Sequence, residues 1–320
     1  MEPHLPIPLA DIYAARDRLA GTVLRTPLIR LNVAEAPAAI FLKLENLQPI
    51  GSFKLRGAGN AMQLAAPEEL AQGVWTASAG NMAQGVAWYA RQLGVPCTVV
   101  VPDTAPATKR AAIERLGGRI ITVSVDEWLE VFRTHRRAGL VGHFIHAFSD
   151  PAVMAGNGTI GLEILEDLPA VDAIVVPYGG GGLSCGIASA VRALQPAVKV
   201  YACEVETAAP LAAALAAGAP VAISAQRSFV DGIGSPSVFA PMWPLAQQLL
   251  DGALTVTLAE VAAAIRVLAE RNRVIAEGAG AAPVAAALAG RAGTGTVVCV
   301  VSGGNLDAPT LATILQGALP

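Results

Sequence analysis

The sequence of 320 residues lacks the excess of basic residues that nucleic-acid-binding proteins carry. Its 22 lysines and arginines are outnumbered by 25 aspartates and glutamates, and the formal net charge is −3. Nucleic acid is therefore not an expected partner.

Long apolar runs and an N-terminal leader are also missing. Stretches of small residues such as "PLAAALAAGAPVAIS" are interrupted by Gly and Pro and are too short to span a bilayer. The first residues, "MEPHLPIPLADIYAARDRL", contain neither a basic leader nor a continuous apolar region. We therefore expect a cytoplasmic protein that does not insert into membranes.

Cysteine is scarce, and the spacing of the cysteines excludes the common zinc and redox motifs. No Cys-x-x-Cys pair occurs, and each cysteine lies alone among apolar or small residues. We expect reduced, mostly buried thiols. They are Cys97, Cys185, Cys203 and Cys299.

Apolar residues are abundant, at 53% of the chain, and they are arranged in a recognisable pattern. From about residue 74, runs rich in Val and Ile alternate with amphipathic segments, which is typical of parallel strands joined by helices. The predicted strands are "VWTAS", "CTVVVP", "RIITVS", "HFIHAF", "DAIVVPY", "KVYACEV", "ALTVT" and "TVVCVVSGG".

The alternating pattern falls into two blocks that meet near "SDPAVMAGNGTIGLEI". Before the first block, "DIYAARDRLAG" predicts a helix with Asp11 as its N-cap, and "TPLIRL" and "AIFLKLE" predict two more strands. Periodicity does not assign this opening segment to either block. In open α/β sheets, ligands bind beyond the carboxyl ends of the strands, so the loops there are the candidate sites.

The segment "YGGGGLSCG" contains four consecutive glycines between a predicted strand and a predicted helix. A bare backbone at a helix N-terminus can direct several N–H groups at one anion. An ordinary tight turn needs only one or two glycines, so a phosphate site is the better interpretation. The residues are Gly179, Gly180, Gly181, Gly182 and Leu183.

Two nucleotide motifs compete for this loop. A P-loop is disfavoured because no Gly-Lys-Ser or Gly-Lys-Thr follows. In a dinucleotide fold, Glu204 would suit the ribose-binding acid, but the Gly-x-Gly-x-x-Gly register puts Ser184 or Cys185 at the third glycine. A dinucleotide-binding oxidoreductase therefore stays as the weaker alternative.

Two further loops carry polar groups at the ends of predicted strands. In "ASAGNMAQG", Asn81 and the N–H groups around it could hold a carboxylate, although an ordinary helix start has the same composition. In "VVCVVSGGNLD", Ser302 could donate to a heteroaromatic nitrogen, although a simple Ser-Gly-Gly turn is the alternative.

The stretch "QPIGSFKLRGAGNAM" places Lys54 among small and apolar residues. Most lysines are solvated, so a surface charge is the default interpretation. Beside a phosphate site, however, a desolvated amine of lowered pKa suits a cofactor with a carbonyl group, held as a Schiff base. Pyridoxal 5′-phosphate has both an aldehyde and a phosphate.

Six segments in this order resemble the fold-type II pyridoxal-phosphate enzymes, in the branch of threonine/serine ammonia-lyases and serine racemase. They are "GSFKLRGA", "ASAGN", "GNGTIGLEI", "VPYGGGGL", "EGAGA" and "SGGN". The resemblance implies an α/β fold like the tryptophan synthase β chain, with two open, twisted, mainly parallel sheets and flanking helices. It also implies a large cofactor-binding domain, 1–72 with 152–320, and a small mobile domain, 73–151.

By this resemblance Lys54 carries the cofactor and removes the Cα proton of an amino acid. Cofactor contacts are implied for Phe53, Asn81, the glycine loop 179–183 and Ser302, with Glu277 near the ring. The implied reaction is loss of water from a β-hydroxy amino acid, which yields a 2-oxo acid and ammonia. Substrate contacts are implied for Ser78, Ala79, Gly80, Met82 and Asn157.

The chain departs from the family pattern at two substrate positions. Met82 replaces a usual histidine, and Asn157 replaces a usual glutamine. A flexible, apolar Met82 suggests that a bulkier substrate such as L-phenylserine is accepted in place of L-threonine or L-serine. The alternative is a tolerated substitution with an unchanged substrate.

A cation position and the racemase reaction differ as well. Glu204 matches one carboxylate ligand of a divalent cation in relatives of serine racemase, but Pro210 replaces the second, so binding of a divalent cation is doubtful. Glu206 is an alternative second ligand, and a monovalent cation is the other alternative. Racemisation requires an acid opposite Lys54, where the family has a serine and this chain has Ala79. Elimination is therefore favoured, with an amino-acid racemase or a catalytically silent cofactor-binding relative as alternatives. The resemblance also implies a homodimer or another homo-oligomer.

Overall fold

A computed structural model of the chain describes residues 3–320, and two sheets contain its named strands. Short β-branched and apolar segments form these strands, as the sequence pattern predicts. They are β1 (Leu28–Arg30), β2 (Ala39–Lys43), β3 (Val74–Ala77), β4 (Cys97–Pro102), β5 (Arg119–Val123), β6 (His143–Phe144), β7 (Ala173–Pro177), β8 (Lys199–Val205), β9 (Gly252–Val256) and β10 (Thr296–Val300).

The larger sheet has six strands in the order β1-β2-β10-β7-β8-β9, and the smaller sheet has four in the order β5-β4-β3-β6. Every pairing is parallel except that of β1 with β2. The predicted fold class is therefore confirmed. The opening strands β1 and β2 join the larger sheet. The domain boundaries and the mobility of 73–151 stay predictions.

Helices cover the faces of both sheets and connect the parallel strands. The predicted cap of the first helix is wrong, because the helix already begins at Leu9 and Asp11 lies in its first turn. Within residues 3–320, no helix has the length and apolarity needed to cross a bilayer. The helices are α1 (Leu9–Leu19), α2 (Lys54–Leu64), α3 (Pro67–Ala71), α4 (Asn81–Leu93), α5 (Ala107–Arg115), α6 (Val125–Thr134), α7 (Pro151–Asp167), α8 (Gly182–Leu194), α9 (Pro210–Ala217), α10 (Trp243–Leu249), α11 (Leu258–Val267), α12 (Gly278–Leu288) and α13 (Ala308–Leu315).

Each sheet has hydrophobic clusters on both faces, because successive side chains of a strand point in opposite directions. On β7, Ile174 and Val176 enter one cluster and Val175 enters another. The smaller sheet repeats this arrangement, since β4 sends Val99 to one cluster and Val100 to another. All four cysteines are free and buried, as predicted.

The predicted strand "HFIHAF" is much shorter in the structure. Only His143–Phe144 pairs with the sheet, and the chain then turns at the buried His146. The backbone N–H groups of Phe148 and Ser149 donate to Nδ1 of His146 at 3.2 and 2.8 Å. Because these bonds replace the strand ladder, the segment turns towards Lys54, whose amine it contacts through Ala147.

Candidate active site

Lys54 begins helix α2 and is half-buried, and its amine reaches the loop that follows β6. Its Nζ donates to the backbone oxygen of Ala147 at 2.6 Å and lies 5.1 Å from the centroid of the Phe53 ring. Burial lowers the pKa of the Lys54 amine to about 8, although the Glu277 carboxylate acts in the opposite direction. Roughly one amine in ten is therefore neutral at pH 7. The prediction of a desolvated amine agrees with this environment, which a solvated surface lysine would not have.

The glycine loop joins β7 to α8, and its backbone is closely covered by Phe148. A Cβ atom at Gly180 would overlap the Phe148 ring, and one at Gly182 would meet the Phe148 backbone. Gly181 has φ of +90°, which non-glycine residues rarely adopt. No side chain caps α8, so the N–H groups of its first turn remain available for an anion.

Asn157 lies beneath the glycine loop. Its Nδ2 donates to the backbone oxygen of Gly182 at 3.2 Å, and its side chain is buried at 1% exposure. The residue was predicted to bind substrate. In the structure its contact is with the loop that would hold phosphate, so we now infer a role in supporting that loop.

The start of helix α4 provides a second open helix N-terminus. Gly80 occupies the N-cap position without a side-chain cap, and its own N–H donates to Oγ of Ser78 at 3.2 Å. Residues 78–81 are partly exposed, whereas Met82 is 1% exposed and packs in the cluster that contains Ile50 and Leu55. The loop can accept a carboxylate through its backbone, but Met82 offers no exposed surface beside it.

Asn81 connects this helix to the acidic residue expected near the cofactor ring. Its Nδ2 donates to Oε1 of Glu277 at 2.8 Å. Burial raises the pKa of Glu277 to about 7, with a further contribution from Asp231, while the Asn81 hydrogen bond and the charges of Lys109 and Lys54 oppose the rise. Glu277 therefore titrates near neutrality.

Backbone pairing brings Ser302 to the same place. The N–H of Phe53 donates to the Ser302 oxygen at 2.9 Å, and the N–H of Glu277 donates to the Gly303 oxygen at 3.0 Å. A Cβ atom at Gly303 would lie 2.5 Å from Oε1 of Glu277, so the close approach requires glycine. The loops that carry Lys54, Ser302 and Glu277 thus form one rigid unit.

Four contacts of the site were not predicted from the sequence. The Ala147 carbonyl and the Phe148 ring come from the shortened strand, and a backbone carbonyl has no signature in the sequence. Lys109 of α5 forms an ion pair with Asp231, which approaches Glu277 through the neighbouring Gly232. Asn305 donates to Oδ1 of Asn81 at 2.8 Å.

The residues at the expected cation position do not suit a cation. Both carboxylate oxygens of Glu204 accept hydrogen bonds at 2.8 Å, from the N–H groups of Leu211 and Ala212 at the start of α9. Glu206 accepts from the N–H of Leu258 at 2.8 Å. Across residues 3–320, no group of three or more His, Cys, Asp or Glu residues could hold a metal ion. The start of α9 thus already satisfies both carboxylate oxygens of Glu204.

The remaining residues fit pyridoxal phosphate. A buried amine of lowered pKa suits the aldehyde, and the open N-terminus of α8 suits the phosphate. Asn81 and Ser302 offer hydrogen-bonding groups beside them, and Phe53 offers an aromatic face within contact of the amine.

Comparison with known proteins agrees with this donor set. Residues 19–303 match the family described as "Pyridoxal-phosphate dependent enzyme". The chain belongs to that family. Because these residues form most of the chain, the glycine loop is that of a pyridoxal-phosphate enzyme, and the dinucleotide interpretation is not needed.

Relatives place this pyridoxal-phosphate enzyme in the threonine/serine dehydratase branch of fold type II, a group of lyases. An L-threonine ammonia-lyase of Geobacter sulfurreducens is 41% identical over 98% of this chain and 79% of its own. Among solved structures, maize serine racemase has a TM-score of 0.88 at 32% identity, with 98% of both chains covered. The processed form of threonine deaminase isoform 2 from Solanum lycopersicum has a TM-score of 0.85 at 34% identity, with 96% and 91% covered.

Proposed function

We propose that the enzyme is an ammonia-lyase that converts a small β-hydroxy amino acid, L-threonine or L-serine, to a 2-oxo acid and ammonia. The observation that carries the proposal is Lys54, a buried amine of lowered pKa between the glycine loop and the start of α4. The names of the relatives, L-threonine ammonia-lyase and threonine deaminase, support the same substrate class.

Different residues would bind the cofactor and the substrate. Lys54 would hold the cofactor, with Phe53, Asn81, residues 179–183 and Ser302 around it. When bound, the cofactor supplies an electron sink for the bond to Cα. The open N-terminus of α4, from Ser78 to Asn81, would bind the substrate carboxylate through backbone N–H groups.

Lys54 would then act on the substrate as a general base. Its neutral amine accepts the Cα proton, and burial keeps that amine neutral at a lower pH than a solvated lysine would be. The Phe148 ring packs against the glycine loop. Ala79 has only a methyl group, which cannot return a proton to Cα. Elimination is therefore favoured over racemisation.

Racemisation is the second candidate, because three of the similar structures are named as racemases. The larger substrate L-phenylserine also stays a prediction. Its support was the flexible side chain of Met82, and the burial of that side chain favours a small substrate instead. A homo-oligomer is likewise inferred from the family.

A substrate panel tests these proposals. Purified enzyme is incubated with L-threonine, L-serine and L-phenylserine, and ammonia, 2-oxo acid and the D-enantiomer are measured. We expect 2-oxo acid and ammonia from L-threonine and L-serine, with kcat/KM for L-phenylserine lower by at least tenfold. D-serine formed faster than ammonia would instead assign a racemase.

The matched control compares two lysines. Lys54→Ala should lose the visible absorbance of the lysine-bound cofactor and the lyase activity. Lys199→Ala removes an exposed lysine that pairs with Asp251, and it should leave both unchanged. A colourless parent protein that takes up no cofactor would refute the proposal.

A further inference from the structure

Asn305 lies just after the Ser302 loop and joins two parts of the site. Its Nδ2 donates to the backbone oxygen of Ile50 at 2.9 Å and to Oδ1 of Asn81 at 2.8 Å. Asn81 in turn donates from Nδ2 to Oε1 of Glu277 at 2.8 Å. Hydrogen bonds therefore run without a break from the loop before Lys54 to Glu277, and we call this chain the amide relay.

The Ile50 carbonyl determines the direction of the amide relay. A backbone carbonyl can only accept, so the atom of Asn305 that faces it must be the NH₂ nitrogen. That NH₂ group has a second hydrogen, which points at Asn81, so Asn81 must present its oxygen. The NH₂ group of Asn81 is then left for Glu277, whose oxygen accepts. Reversing the Asn305 amide would bring two acceptors together at Ile50, and reversing the Asn81 amide would bring its NH₂ group against that of Asn305.

We propose that Asn305 is a positioning residue that fixes the amide orientation of Asn81, so that an N–H of Asn81 rather than its oxygen faces the cofactor. The proposal rests on the proposed function of Asn81 as a cofactor contact. Its consequence is that Asn305 affects cofactor binding without touching the cofactor.

Close packing holds Asn305 in this position. A Cβ atom at Gly51 would lie 2.7 Å from Oδ1 of Asn305, and Gly51 has φ of +73°, a conformation that favours glycine. The N–H of Gly304 also donates to the Gly51 oxygen at 2.9 Å. The backbones on either side of Asn305 and Ile50 are therefore fixed to each other, so the Asn305 amide cannot follow a rotation of Asn81.

The relay also crosses between the two sheets. Asn81 begins α4, which packs on the smaller sheet, whereas Asn305 and Glu277 lie at loops of the larger sheet. Because Oδ1 and Nδ2 of Asn81 each have a hydrogen-bond partner, both bonds form only when the Asn81 amide has this one orientation. The cofactor-facing N–H is thus formed before the cofactor binds.

Two substitutions at Asn305 separate positioning from packing. Asn305→Asp keeps the shape but offers only acceptors, so it attracts the NH₂ of Asn81 and turns the Asn81 oxygen towards the cofactor. Asn305→Ala removes side-chain volume and both hydrogen bonds. It leaves the Asn81 amide free to adopt either orientation without favouring the wrong one. Positioning therefore predicts that Asn305→Asp is the more harmful change, whereas a packing role predicts the opposite order.

The measurement is the dissociation constant of pyridoxal phosphate, obtained by titrating the cofactor-free full chain. We expect Asn305→Asp to weaken binding by roughly tenfold and Asn305→Ala by roughly threefold, within the range for a single hydrogen bond that is lost or opposed. Asn272→Asp is the matched control, because Nδ2 of Asn272 also donates to a backbone carbonyl, that of Arg30, away from Asn81. It should change the dissociation constant by less than about twofold.

A double-mutant cycle with Asn81→Ala tests whether Asn305 acts through Asn81. In the Asn81→Ala background the difference between Asn305→Asp and Asn305→Ala should disappear. Melting of the cofactor-free chain gives a second readout, and there the losses of Asn81→Ala and Asn305→Ala should be less than additive, because the relay already exists without cofactor.

The outcomes distinguish the two proposals. If Asn81→Ala leaves the dissociation constant unchanged, the proposed cofactor contact of Asn81 fails. If Asn81→Ala weakens binding but Asn305→Ala is more harmful than Asn305→Asp, or the two sites are additive, only the positioning role of Asn305 is overturned.

Discussion

Two basic residues near the start of helix α2, Lys54 and Arg56, have opposite surroundings, and the Arg56 side chain is fully buried whereas Lys54 is half-buried. The Arg56 guanidinium contacts the carboxylates of Glu45 and Glu163 at 2.8 and 2.6 Å. Lys54 contacts only the carbonyl of Ala147 among its hydrogen-bond partners in residues 3–320.

The ionisation of the two groups differs accordingly. The paired carboxylates raise the pKa of Arg56, which stays charged throughout, and Arg56 in turn lowers the pKa of Glu45. Burial without such compensation lowers the pKa of Lys54 to about 8. Burial alone therefore does not make an ionisable side chain functional. A compensated buried charge fixes the structure, and an uncompensated one can exchange protons near neutral pH.

The largest effect on the free energy of unfolding is expected when the compensated charge of Arg56 is removed. Arg56→Met leaves Glu45 and Glu163 buried with only Lys43 as a nearby cation, at 2.6 Å from Glu163. We expect a loss of about 3–5 kcal/mol in the free energy of unfolding. Urea denaturation of the cofactor-free protein measures it.

Lys54→Met is the matched change two residues away. It removes a buried amine that has no carboxylate partner, so we expect a change in the free energy of unfolding below about 1 kcal/mol but a complete loss of lyase activity. Equal losses of stability in both variants would contradict the comparison, because the two buried cations would then be equivalent.

Removing the carboxylate of Glu277, which raises the pKa of Lys54, should increase the difference in ionisation between Lys54 and Arg56. Glu277 raises the pKa of Lys54 against the effect of burial, so Glu277→Gln should lower it further. The rate at which cofactor-free enzyme captures pyridoxal phosphate should then reach half its maximum at a lower pH than in the parent, where we expect the midpoint near pH 8. Stopped-flow absorbance across pH 6 to 10 follows the capture. An unchanged or higher midpoint would show that Glu277 does not face the amine.

How far the sequence predicts this site depends on whether a contact uses a side chain or the backbone. The residue types of the glycine loop indicated a phosphate site and so drew attention to Lys54, whereas the role of Ser302 was assigned only by the family resemblance. The Ala147 carbonyl was missed because the segment that carries it was predicted as a strand, and the turn onto His146 depends on a tertiary contact.

The orientation of Asn81 could not be predicted for a similar reason. It depends on Ile50 and Asn305, which lie far apart in sequence and meet only when β2 and β10 pair in the sheet. Glu204, the doubtful cation ligand of the sequence analysis, is a buried carboxylate. Its partners proved to be backbone N–H groups, which a substitution by Pro210 at the start of α9 does not reveal.

Glu204 is a buried carboxylate whose hydrogen bonds offset only part of the cost of burial. We expect its substitution to have a moderate effect on stability. Two N–H groups bind it, yet burial is the larger influence and raises its pKa to about 7 from 4.5. A carboxyl whose pKa is raised on folding adds stability below pH 4.5, and this contribution is lost as the pH rises through about 7.

Glu204→Gln mimics the protonated form at every pH. We expect it to cost about 1 kcal/mol at pH 5 and less at pH 8, where the parent loses its own advantage. Thermal melting at both pH values measures the difference. Cofactor content should be unaffected by a chelator or by added Mg²⁺ or K⁺, and a fall in cofactor content with chelator would restore a cation to this position.

The smallest effects concern the ion pair between Lys109 and Asp231, which is partly exposed and joins α5 to a loop of the larger sheet. Such pairs contribute about 0.2–1 kcal/mol, so neither variant should change stability much. Their effects on the pKa of Glu277 are nevertheless opposite, since Asp231 raises it and Lys109 lowers it. Asp231→Asn should therefore move the acidic limb of the pH profile of kcat/KM to lower pH, and Lys109→Met should move it to higher pH. Shifts in the same direction would mean that loss of contact between the two sheets, and not the charge at Glu277, controls that limb.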